Sequence, residues 1–462
     1  MKKRLQLKTK NKVKLKTSVK LTIAGAAFAL TLAIGFFVFD YLSRPETGRA
    51  GSDKTLPGYA FRRKVQLNIA PNKDNAVLQD FPILVRLQHP DLKHIQLGGK
   101  VTHKAGYDIR FTKPDGITIL NAQIEQYNPQ DGSLTAWVLL DSLLPGKAPE
   151  LMLYYSNSSV QTEQANLMWT GDYAAVWHLS RDLNGSSGTS RLKANTSGTL
   201  EVDGIVAKAR QFNAFSGDFA DYGFNEAFQI GEAFSIGAWV NLRETGREQV
   251  ILSSLGDGPG GFRLSINKNG LLDFGFVNAA GKLLLPENST GAEKIVANEW
   301  THIAATYSKA KGEILTYVNG IIDRSFQVKD VPVKTAAALM MGRNKFEEGN
   351  GFNGAIDEVR ILHKVLPQKW FAAEYLNIGS GNTMATLFAE ESLKIDQASV
   401  KQNKAATEAY DVVERNRSAE RNRTQAIKSS PGEAPTTISS SAQNMRERMN
   451  TIRRVSSENS KP

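Results

Sequence analysis

Residues Leu21–Phe39 read LTIAGAAFALTLAIGFFVF, nineteen positions without a charge. At 1.5 Å per residue a helix of this length spans roughly 28 Å, close to the hydrocarbon thickness of a bilayer. No other stretch of the 462-residue chain reaches this length without a charge. Nine Lys or Arg residues and no acid precede it, whereas Asp40, Arg44, Glu46 and Arg49 follow. The positive-inside rule therefore predicts a single-pass anchor, with the N-terminus in the cytoplasm and residues 40–462 outside. A cleaved signal peptide would have a shorter apolar core and a small-residue site behind it, and no such site follows Phe39. The expected location is an inner or cytoplasmic membrane, with the body periplasmic or extracellular.

The net charge of +11 divides unevenly. Residues 1–20 carry +9 and residues 401–462 carry +5 (twelve bases, seven acids), which leaves −3 for the middle. The basic excess is thus a topology signal, and no basic stripe is available for phosphates, so nucleic acid is not an expected partner. With no cysteine, disulfides, thiolate catalysis and Cys-based metal sites are excluded.

Residues 40–56 read as a polar linker. Period-2 alternation then begins: Phe61, Val65, Leu67 and Ile69 share a face, as do Ile83, Val85 and Leu87, and Leu134, Ala136, Val138 and Leu140. Such runs, broken by Gly, Pro, Asn and Asp, predict an antiparallel sandwich over 57–157. A second block over 172–379 alternates at Phe234, Ile236, Ala238, Val240 and Leu242, with Trp239 on the other face. Asn269-Gly270 and Asn319-Gly320 mark turns. LPQKWFAAEY reads as a short helix. The fold class expected is all-β: two consecutive antiparallel β-sandwiches, a transmembrane helix and a partly helical tail. Ala405, Ala409, Val412 and Val413 share a helical face, which suggests a helix over 383–427, from about Thr386 to Asn422. Residues 428–462, rich in Ser, Asn, Arg and Pro, read as disordered.

Two resemblances follow from these strings. FRRKVQLNI, DFPILVRL, YDIRFTKPDG, QIEQYNP, LTAWVLLDSL and LMLYYSNSS resemble, in this order, the bacterial domain of unknown function 2341. FSIGAWVNL, NEWTHIAATYSKAKGEILTYVNGII, LMMGRN and GFNGAIDEVRILHKVLPQKWFAAEY resemble the laminin-G-like jelly roll of the concanavalin A-like lectin and glucanase superfamily. The second resemblance implies a glycan or an envelope protein as ligand. The first implies a neighbouring TolQ/ExbB/MotA-type proton channel, to which this single-pass chain would be an accessory subunit. The concanavalin A-like resemblance also implies calcium in loop sites, for which Asp218, Asp221 and Asp357 are the candidates, against ordinary capping roles. The loop RDLNGSSGTSRLKANTSG is poor in acids and departs from the calcium-binding pattern.

No E-x-D-x-E run supplies the paired carboxylates of a glucanase. Glu347-Glu348 and Glu390-Glu391 are adjacent, so on a strand they would not face one site, and they read as solvated acids. A degenerate glycoside hydrolase is the remaining enzymatic alternative, and the reading preferred is a non-catalytic binding protein. The six histidines form no H-x-H or H-E-x-x-H, so a zinc site is not expected, and His178 and His302 read as structural histidines beside tryptophans. Trp169, Trp177 and Trp370 could stack on sugars, but core positions are the expectation for aromatics in a sandwich.

Overall fold

The structure is a computed structural model. It describes residues 54–68, 76–164, 168–169, 171–180, 183–186, 193–256, 258–285, 292–345, 349–379 and 384–393. The segment Leu21–Phe39 and residues 394–462 lie outside the described residues. Residues 55–393 belong to one compact unit.

The first sandwich begins with β1 (Phe61–Gln66), β2 (Leu78–Gln88), β3 (Arg110–Thr112), β4 (Ala122–Asn128), β5 (Ser133–Leu143) and β6 (Glu150–Tyr155). The second contains β7 (Tyr173–Trp177), β8 (Asn195–Ser197), β9 (Leu200–Asp203), β10 (Lys208–Phe212), β11 (Phe219–Asp221), β12 (Ala233–Leu242), β13 (Gln249–Ser253) and β14 (Phe262–Ile266). It continues with β15 (Leu272–Val277), β16 (Leu283–Leu284), β17 (Trp300–Ser308), β18 (Glu313–Val318), β19 (Ile321–Gln327), β20 (Met340–Met341) and β21 (Gly354–Leu362). Helix α1 (Gln368–Gly379) and strand β22 (Thr386–Ser392) follow.

The first sandwich packs the sheet β22-β1-β6-β3 against β2-β5-β4. The second packs an eight-stranded sheet, β19-β18-β17-β12-β21-β10-β9 with β7 also on β21, against the seven-stranded β16-β15-β14-β13-β20-β11-β8. Among the described residues every pairing between these strands is antiparallel, as the alternation predicts. Phe234, Ile236, Ala238, Val240 and Leu242 of β12 enter the core between the two large sheets, with Phe262, Leu264, Phe274 and Phe276 opposite.

Trp239 does face the other way, and what it meets positions the site. It packs with Leu84 and Trp137 of the first sandwich and with Met168, Trp169, Val176, Val206 and Ile378. The central strands of the eight-stranded sheet are therefore buried on both faces. Helix α1 is wedged in the same seam: Trp370 meets Phe81 edge-on at 5.0 Å and Phe371 meets Tyr317 at 4.6 Å. The Asn377 amide makes two hydrogen bonds to the Leu84 backbone, accepting from its N–H at 2.8 Å and donating to its carbonyl at 3.3 Å.

Residues 386–392 correct the tail reading. They are a strand, not the start of a helix, and pair antiparallel with β1. The helical face lay in residues 405–413, beyond the described region. At 386–392 the free edge of β1 supplies backbone partners, and an open edge is costly to leave bare. Glu390 and Glu391 are corrected with it. They do point to opposite faces, but Glu391 pairs with Arg62 at 2.6 Å while Glu390 pairs with Lys100 at 2.5 Å and accepts from the Tyr155 hydroxyl. They fasten the returning strand rather than solvate it. The first sandwich is consequently closed by residues from the far end of the jelly roll.

Candidate functional site: the buried ionic centre between the sandwiches

The outer face of β2-β5-β4 presents Arg86, Gln123, Glu125 and Trp137 to the outer face of the eight-stranded sheet. That sheet answers with His178, just past β7, and with Asp357, Glu358 and Arg360 of β21; α1 adds Glu374. Strands β10 and β7 share one side of β21: β10 pairs with 354–356 and β7 with 359–362. Between them the ladder breaks at Asp357 and Glu358. Glu358 adopts φ 48°, the left-handed region that a non-glycine residue enters only at a cost. The Asp357 carboxylate fills the gap, accepting from Val206 N at 3.0 Å and Glu358 N at 2.9 Å.

Glu358 Oε1 lies 2.7 Å from His178 Nδ1, and Glu358 Oε2 accepts from Arg360 at 2.8 Å. Arg360 also pairs with Glu374, and its guanidinium lies over the rings of Trp137 (4.5 Å) and Trp169 (5.1 Å). Glu125 Oε2 accepts from Trp137 Nε1 at 2.7 Å and stands 3.7 Å from His178 Nδ1. Arg86 donates to the carbonyls of Ile205 and Ile378.

The tautomer of His178 follows from its neighbours. Trp169 Nε1 can only donate, and it donates to Gln123 Oε1 at 2.5 Å. That oxygen therefore accepts from His178 Nε2 at 3.1 Å, so Nε2 carries hydrogen. Nδ1 is left facing two carboxylates.

Burial sets the electrostatics. It pushes the Glu125 carboxyl up to about 7, with the Glu358 charge adding to the rise. Burial also lifts Asp357 well above the usual carboxylate range, helped by Glu358 and Glu125. Glu358 goes down: burial opposes this, but His178 and Arg360 outweigh it. For His178 burial pulls down, yet Glu358 and Glu125 prevail and its pKa rises. His302 behaves oppositely. Burial, then the Arg360 charge, lowers it to about 3, and among the described residues its Nδ1 has no hydrogen-bond partner.

A neutral His302 makes stability depend on pH. Its folded pKa lies below the unfolded value near 6.5, so the unfolded chain binds the extra proton. That contribution is complete above pH 6.5 and is lost as pH falls towards 3. Relative to His302→Met, the wild type should lose up to about 1.4 kcal/mol more per pH unit across this window. Urea midpoints measured at several pH values check this, and parallel curves would assign the dependence to other groups.

The aspartates proposed for calcium do not converge. Asp218 accepts from Asn213 N at 2.9 Å and Asp221 from Gly223 N at 2.8 Å, both beside or on β11 in the seven-stranded sheet. Asp357 is in the other sheet, capping the β21 break. Trp169, Trp177 and Trp370 are all buried, as expected for core residues. Glu125 and Glu358 passed unnoticed as members of a cluster, because the partners lie in three distant segments and no local spacing joins them.

Residues 218–371 match the family model described as the concanavalin A-like lectin/glucanases superfamily. The second sandwich is a concanavalin A-like domain. Residues 105–177 match the model described as a domain of unknown function (DUF2341), so the two domains stand in the order their motifs imply. That match runs through β7, which pairs inside the concanavalin A-like domain. No curated protein matches the chain. Among solved structures, the binding domain of Paraclostridial Mosquitocidal Protein 1 is 17% identical at a TM-score of 0.37, covering 44% of this chain and 52% of that one. The botulinum neurotoxin serotype D binding domain is 18% identical at 0.36, covering 44% and 51%. Domain 4 of AbnA, a GH43 extracellular arabinanase from Geobacillus stearothermophilus solved with arabinotriose, is 19% identical at 0.36, covering 44% and 97%. The chain spans about half the length of the two toxin domains, and the likeness to all three is a partial one.

Proposed function

We propose that the chain is a membrane-anchored, extracytoplasmic, non-catalytic binding protein whose concanavalin A-like domain takes a glycan or a protein of the cell envelope. The match of residues 218–371 to the lectin/glucanase superfamily carries this reading. The anchor rests on the hydropathy and basic flank of Leu21–Phe39. The ionic centre is buried between the sandwiches, so contact with a glycan or a protein belongs to the surface of the concanavalin A-like domain.

One rim of that surface offers a suitable arrangement. Phe215 sits in a short 3-10 turn started by Asn213, whose side chain accepts from Phe215 N, and its ring is 77% exposed. The Arg247 guanidinium lies 5.5 Å from the Phe215 ring and that of Arg343 lies 4.1 Å from the Phe219 ring. An exposed ring of this kind, with a guanidinium beside it, can stack on a sugar face.

Glycan arrays and envelope pull-downs with the full-length chain in detergent test the reading. Phe215→Ala should weaken binding about 10-fold, near 1.4 kcal/mol, with the unfolding midpoint unchanged. Absence of any ligand at millimolar concentration would sink the proposal.

A further inference from the structure

His178 Nδ1 and one carboxylate oxygen each of Glu125 and Glu358 lie within 4.8 Å of one another, and all three residues are buried. With Nε2 committed to Gln123, the Nδ1 lone pair points at two carboxylates. That arrangement requires a cation between them. We propose that Glu125, His178 and Glu358 bind one divalent first-row transition ion, which cross-links the two sandwiches.

A proton on Nδ1 is the competing cation, and one observation favours the metal. The proton would satisfy Glu358 Oε1 but not Glu125 Oε1, which is buried and has no hydrogen-bond partner among the described residues. A buried oxygen left in that state carries its full desolvation penalty.

The surroundings are those of a metal centre with its supporting hydrogen bonds in place. Gln123 orients the imidazole, Trp137 donates to Glu125 Oε2, and Arg360 donates to Glu358 Oε2. Such outer partners fix the ligands and tune their basicity. One imidazole with two carboxylates suits zinc or a neighbouring transition ion, whereas calcium and magnesium prefer oxygen alone. Burial beneath Trp137 and Trp169 makes the role structural. Glu125 comes from the first sandwich, and His178 and Glu358 come from the second, so a single ion would fix their mutual orientation.

The test uses the full-length chain in detergent, equilibrated with zinc and freed of excess. Elemental analysis should find about one zinc per chain, and Glu125→Gln should lower that content at least ~5-fold. Near-UV circular dichroism reports whether the variant is folded. If it is not, the cobalt-loaded wild type decides: a visible spectrum of bound cobalt in nitrogen and oxygen ligation supports the proposal, and the spectrum of free aqueous cobalt overturns it. Wild-type zinc content below ~0.1 per chain overturns it too and leaves the proton on Nδ1, as does a folded Glu125→Gln that keeps the wild-type stoichiometry.

Discussion

Replacing Arg360 by Ala should destabilise the chain by about 3–5 kcal/mol, among the largest effects of any single substitution in this fold. The guanidinium is the charge partner of both Glu358 and Glu374, and all three side chains are almost wholly withdrawn from water. Burial lifts the Glu374 carboxyl and only Arg360 draws it back down. Removing the cation leaves two carboxylates facing one another in a poorly screened interior. It also removes the planar group from the faces of Trp137 and Trp169, so contact area is lost with the charge. Lysine cannot substitute, because one ammonium cannot reproduce the two-sided fork. The decisive comparison is a double variant. Arg360→Met with Glu374→Gln should recover part of the loss by removing one stranded charge along with its partner. Denaturant midpoints would check both. A loss below about 1 kcal/mol for Arg360→Ala would mean that water reaches the centre and screens it.

The strands were legible in the sequence because their alternation is local. Phe234 to Leu242 names one core face of β12, and Asn319-Gly320 gives the two-residue turn between β18 and β19, with φ of 50° and 78° as such a turn needs. The opposite face of β12 was half legible. Trp239 was visibly out of phase, but nothing in its neighbourhood says that a second sandwich covers it. Period-2 reading identifies which residues share a face and is silent on what that face meets.

The ionic centre failed to show for the same reason. Glu125, His178 and Glu358 are 53 and 180 positions apart, and each looks ordinary alone: an acid in a strand, a histidine beside a tryptophan, an acid in a family motif. A spacing rule such as H-x-H detects ligands that share one element, so it misses a site assembled across two domains. Strand β22 illustrates a different limit. Its amphipathic neighbours suggested a helix, and only the unpaired edge of β1, more than 300 residues earlier, makes 386–392 extended.

That returning strand leads to the second large expectation: the two sandwiches should not survive separation. Residues 57–157 alone lack β22, and with it the pairs Arg62–Glu391 and Lys100–Glu390. They would also expose Leu84, Phe81 and Trp137, which are covered by α1, Trp239 and Arg360 in the intact chain. The concanavalin A-like domain alone would expose Trp239, Phe371 and Tyr317 and would strand Arg360, Glu358 and His178 without Glu125 and Trp137. Each large apolar side chain returned to water costs about 1.5–3 kcal/mol, so a handful of them consumes the 5–15 kcal/mol that typically holds a folded protein together. Residues 55–393 should therefore unfold in one calorimetric transition, whereas 57–157 should show no cooperative transition and no near-UV dichroism from Trp137. A fragment 57–157 that melts cooperatively within a few degrees of the longer piece would show the seam to be a mere contact between independent domains. The seam is built as a core: tryptophans, a wedged helix and charges that balance only when both halves contribute.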